Sequence, residues 1–107
     1  MNARVELLLA MLLVAACSRS NNLLQGRVES RLGEHAVVVT DCYRTSVPAP
    51  APVARAADGS AIYRWTPCRD ADVVITGAQL AVNGTSYGVL RAGDRVIVDH
   101  GVVRVER

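Results

Sequence analysis

The sequence predicts an all-β fold, a small antiparallel β-sandwich or barrel-like meander of about seven short strands, following an N-terminal apolar helix. Three observations predict it. Short segments rich in valine and other β-branched residues recur along the chain with turn residues between them. Asn83-Gly84 sits between two such segments, and a type I′ hairpin turn needs positive φ at both central positions, which this pair tolerates. After residue 17 no segment carries the periodicity of an amphipathic helix, so a parallel α/β sheet has nothing to build its crossovers. The 107 residues suffice for one hydrophobic core, which excludes a multidomain enzyme. A composition 50% hydrophobic and 21% charged excludes disorder, and a net charge of +2 is too small to imply nucleic acid. All twelve basic residues are arginine, which fits the codon bias of a GC-rich genome and carries no functional reading.

The apolar residues are concentrated at the start. Residues 1–16 hold thirteen of them, the exceptions being Asn2, Arg4 and Glu6. As a helix the run Leu7 to Ala16 would rise about 15 Å, half of a hydrocarbon core of roughly 30 Å, and so is too short to span a membrane. An arginine before it and the small residues Ala15 and Ala16 after it make it a signal helix, the h-region of an export signal.

The run Leu13-Val14-Ala15-Ala16-Cys17 resembles the lipobox of bacterial lipoprotein precursors, in which an aliphatic residue and small residues lead into a cysteine. The resemblance implies that residues 1–16 are removed and that Cys17 is thioether-linked to diacylglycerol. It also implies that the new amino group is acylated, so that two or three acyl chains hold the protein stably on a membrane. Ser18, where an aspartate marks retention at the inner membrane, implies an outer-membrane protein facing the periplasm. An ordinary export signal, leaving a secreted and unlipidated protein, is the alternative. Residues 17–25 then read as a polar tether without periodicity, and 26–107 as the β-domain.

Within that domain, Val28, Ser30 and Leu32 alternate with Arg27, Glu29 and Arg31, which predicts a half-buried strand ending at a Gly33-Glu34 turn. Residues 35–43 (HAVVVTDCY) predict a more buried strand. Residues 46–58 carry three of the four prolines, which fix φ and lack amide donors, so an extended polyproline-like surface loop is expected there. A strand over 60–66 is expected to stop at Pro67, and another over 72–76 to stop at Gly77. The hairpin 79–82 and 86–90 follows. Ala92-Gly93-Asp94 and His100-Gly101 then bracket strands over 95–99 and 102–106. Tyr87-Gly88 inside a strand predicts a ring laid over a glycine, or a bulge.

With Cys17 acylated, Cys42 and Cys68 form an even pair in an oxidising compartment, and a disulfide is expected. It would close a 27-residue loop containing the prolines, worth about 3.5 kcal/mol in the chain-entropy model. No Cys-x-x-Cys spacing favours redox chemistry, and Cys42, Cys68, His35 and His100 lack metal-ligand spacing. Asp70 and Asp72 resemble the start of a calcium loop, but the sixth and twelfth positions are Ile75 and Ala81, so they read as turn residues.

No catalytic site is expected. His35 and His100 sit at strand and turn positions, and Ser60, Thr85 and Ser86 lack a nucleophile's sequence context. Tyr63 and Trp65, two apart in one strand, share a face. Facing inward they supply core volume, the favoured reading in a chain without phenylalanine; facing outward they form a surface-recognition pair for peptide, glycan or protein. No cofactor is implied and no small-molecule ligand is identifiable. The partners expected are the membrane, through the lipid, and an envelope protein.

Overall fold

The computed structural model describes residues 26–43 and 46–107. The signal segment, Cys17 and the tether lie outside the described residues. Nine strands follow one another: β1 (Val28–Leu32), β2 (His35–Val39), β3 (Ala54–Arg55), β4 (Ala61–Cys68), β5 (Ala71–Thr76), β6 (Gln79–Val82), β7 (Thr85–Val89), β8 (Arg95–Asp99) and β9 (Val102–Glu106). They form two sheets, one ordered β1-β2-β8-β9 and the other β3-β4-β5-β6-β7. The all-β expectation holds, and two separate sheets around one core make it a sandwich.

Alternation places the core. Val28 and Leu32 of β1, Val37 and Val39 of β2, and Val96 and Val98 of β8 turn one face inward. They meet Trp65 of β4, Val73 and Ile75 of β5, and Leu80 and Val82 of β6 from the other sheet. On the opposite face of the four-stranded sheet, Val38 and Ile97 are buried as well. In register they are flanked by Glu29 and Arg104, whose long stems can lie over them.

One pairing departs from the expected antiparallel pattern. β2 and β8 run parallel, with Val37 opposite Val96 and Val39 opposite Val98. Between them the chain builds the whole second sheet, so this contact is non-local and no turn signal encodes it. Its mark is compositional: Val37-Val38-Val39 and Val96-Ile97-Val98 are continuous apolar runs buried on both faces, as parallel strands require.

Three local expectations are corrected. Pro67 does not stop β4, which runs on to Cys68. One extra residue lies between Trp65 and Cys68 relative to Val73 and Ala71 of β5, and at that bulge the missing proline N–H interrupts no ladder bond. The strand expected to reach Tyr43 ends at Val39, because Asp41 takes a left-handed φ of 60° and turns the chain. The proline segment is more than a surface spacer. Its residues Ala54 and Arg55 form β3 against Ile62 and Ala61, and Ala51 N–H donates to Arg64 O at 2.8 Å. At Tyr87-Gly88 the bulge is present: Ser86 faces Ala81 and Gly88 faces Leu80, leaving Tyr87 unpaired, with Gly88 at φ 90°.

Candidate binding cleft

Cys42 and Cys68 are joined by a disulfide, with Cα atoms 5.6 Å apart. Two elements bring them together. Beyond the Asp41 turn, Cys42 N–H donates to Gly26 O at 2.8 Å, which holds it against the start of the domain, while the β4 bulge redirects Cys68. Cys42 is fully buried and Cys68 partly exposed.

Over this disulfide opens a cleft of about 440 Å³, within the size range of small-ligand sites. Asp41, Cys42 and Tyr43 line one side; Thr66, Cys68, Arg69 and Asp70 line the other. A smaller space of about 80 Å³ shares Asp41, Cys68 and Asp70 and extends to Thr40 and Gly101. Tyr43 packs closely on Gly26: a Cβ there would meet its Cζ at 2.9 Å, so the ring lies against bare glycine backbone while 65% of the residue stays exposed. Among the described residues, the side chains of Asp41, Arg69 and Asp70 take part in no hydrogen bond or ion pair.

The neighbouring carboxylate behaves differently. Asp72 accepts two hydrogen bonds from Arg64, at 2.9 and 2.8 Å, and one from the Thr66 hydroxyl at 2.9 Å. The Arg64 bonds first, and the Thr66 bond with them, hold its pKa below the ordinary carboxylate value. Its backbone N–H donates to Asn83 Oδ1, and Asn83 Nδ2 donates to Asp70 O. Asp72 thus ties the β4–β5 turn to the Asn83-Gly84 turn, and three of its carboxylate's roughly four lone-pair sites are already taken by Arg64 and Thr66. Among the described residues no group of three or more His, Cys, Asp or Glu side chains could hold a metal.

Near the smaller space a hydroxyl, a carboxylate and an imidazole converge. The Thr40 hydroxyl donates to Asp99 Oδ1 at 2.7 Å, and His100 Nδ1 lies 2.8 Å from the same oxygen. The carboxylate stands between the other two, so the hydroxyl proton is directed to Asp99 and not to the imidazole. A nucleophile–base arrangement requires the imidazole in the middle. Thr40 also accepts the His100 N–H at 3.0 Å, which fixes the turn in which His100 adopts φ 50°. The Thr40 bond, then the His100 bond, hold the Asp99 pKa below its ordinary value. His35 is a buried tie: its Nδ1 donates to Asp94 O at 2.8 Å, linking β2 to the turn before β8.

Tyr63 and Trp65 do not form a surface-recognition pair. Trp65 is 1% exposed in the core, its Nε1–H donates to Pro48 O at 2.8 Å, and Tyr63 packs against the same cluster. The inward face wins because the chain has few other side chains large enough to fill the space between the sheets. The exposed aromatics are Tyr43 and Tyr87. The Gly26–Tyr43 contact was beyond sequence reasoning, since it joins the domain's first residue to the chain beyond β2.

No family model, curated protein or solved structure matches this chain.

Proposed function

We propose that this chain is an exported bacterial envelope protein, anchored through lipid on Cys17, whose β-domain has a structural or binding role and no catalysis of its own. The observation that carries the reading is the Cys42–Cys68 disulfide. Disulfides persist in the oxidising compartments that an export signal leads to. The pairing also leaves Cys17 as the odd cysteine, positioned behind Leu13-Val14-Ala15-Ala16. Among the described residues no helix is long and apolar enough to cross a membrane; in this reading the acyl chains on Cys17 provide the attachment. The commitment of His35 to a backbone carbonyl and of His100 to a turn supports a non-catalytic role. Metabolic labelling with a radioactive fatty acid tests the anchor. Label on the wild type and none on Cys17→Ala is expected; an unlabelled, freely released wild type would make it a secreted binding module instead.

A second reading, an accessory subunit of an envelope enzyme or assembly complex, is favoured by β7. This edge strand of the five-stranded sheet, Thr85–Val89, carries no charge and no proline, and all five of its residues are exposed. Such an edge can accept a partner strand. Crosslinking from a Tyr87 substitution in intact cells, followed by identification of the adduct, tests it.

A further inference from the structure

We propose that the cleft over the Cys42–Cys68 disulfide binds a neutral saccharide. The proposal rests on the binding-domain reading above and names the ligand class of that site. Three observations carry it. The cleft presents hydrogen-bonding groups of both kinds: the carboxylates of Asp41 and Asp70 accept and the Arg69 guanidinium donates, while the Thr66 hydroxyl, whose proton goes to Asp72, can accept. The three charged groups are left unpaired among the described residues, although Arg64 and Asp72 close by are satisfied by one another. An aromatic ring stands at the rim, packed against Gly26 yet 65% exposed.

These features select among ligands. An anion is repelled by Asp41 and Asp70, and a cation drawn to those two carboxylates is repelled by Arg69 and leaves it unsatisfied, so neither uses the whole set. A neutral polyol satisfies both sets, since each hydroxyl donates to a carboxylate and accepts from a guanidinium. The apolar face of a pyranose ring matches the exposed tyrosine ring, which is rigid and amphipathic and loses little entropy on contact. The left-handed backbone at Asp41 fits this role. Unlike Asn83 and His100, Asp41 does not lie between two paired strands of a hairpin, and it turns the chain into the cleft wall.

The test is amide NMR of the isotopically labelled full chain in detergent micelles, titrated with an N-acetylglucosamine trimer and with maltotriose to about 10 mM, a range that captures weak single-site binding. Shifts at Asp41, Tyr43, Arg69 and Asp70 with at least one oligosaccharide are expected. Arg69→Gln and Asp70→Asn, surface changes that leave the core untouched, are each expected to weaken binding about tenfold, the equivalent of one charge-assisted hydrogen bond. Tyr43→Phe retains the ring over Gly26 and is expected to keep most of the affinity. Absence of cleft shifts with both sugars overturns the proposal, as does trialanine shifting these amides where the sugars do not. Binding undiminished in both the Arg69 and Asp70 variants overturns it too. Fatty-acid labelling of the same preparation reads the anchor independently, so a labelled protein that ignores sugars sinks the cleft proposal alone.

Discussion

The ring of Tyr63 occupies the space that a Cβ on Gly33 would need: such a carbon would meet Tyr63 Cζ at 2.9 Å and Cε2 at 3.0 Å. Gly33 also has a φ of 64°, so the β1–β2 turn and the packing of β4 impose the same residue. Gly84, at φ 81°, has nothing within 4 Å of its Cβ position and isolates the backbone effect. Gly84→Ala is expected to cost about 1 kcal/mol and Gly33→Ala at least about twice that. Urea denaturation midpoints of the two variants provide the comparison, and equal losses would show that the tyrosine ring yields freely.

The disulfide fixes both ends of the segment that carries β3. Cys42 and Cys68 are 26 residues apart, and breaking the bond is expected to lower stability by about 3.5 kcal/mol. For a domain of this size that is a fall in Tm on the order of 15 °C or more. Thermal melts with and without reductant measure it. The Cys42→Ala, Cys68→Ala double variant should melt near the reduced wild type and show no response to reductant.

Trp65 connects the proline segment to the core through its bond to Pro48 O. Trp65→Phe keeps most of the apolar volume and removes the donor, which is expected to cost about 1–2 kcal/mol. Limited proteolysis should show faster cleavage within residues 46–58 than in the wild type. Unchanged cleavage would mean that the pairing of β3 with β4 holds the segment without Trp65.

Acid should unfold this domain partly through Asp72 and Asp99. Both have pKa values below the ordinary 3.8, Asp72 chiefly through Arg64 and Asp99 chiefly through Thr40. The unfolded chain therefore binds more protons near that value, and stability falls as pH drops through the lowered folded values. Above about pH 5 both contributions are complete. Asp72→Asn is expected to lower Tm at neutral pH and to flatten its decline below about pH 4. An acid limb identical to the wild type would remove Asp72 from this account.

The strands were legible where their cause is local. Alternation in β1, the turn residues around β6 and β7, and the bulge at Tyr87-Gly88 all depend on residues within a few positions of one another. What escaped depends on distant partners. The parallel β2–β8 pair joins residues about sixty apart, and β3 exists because Ala54 and Arg55 lie against β4, not because Ala-Arg favours a strand. Pro67 misled because a proline at a bulge and a proline at a strand end look alike without the opposing strand. The disulfide was legible from cysteine parity. The cleft beside it was not, since its walls meet only after the β2–β3 connection and the β4–β5 turn are brought together.

Mass spectrometry of the protein extracted intact from its native membranes tests the central claim most directly. The account predicts a chain beginning at Cys17, carrying diacylglycerol and an N-acyl group, with two hydrogens fewer than the dithiol form at Cys42 and Cys68. A chain that retains residues 1–16, or begins at Cys17 without acyl mass, or carries free thiols at Cys42 and Cys68, would contradict it.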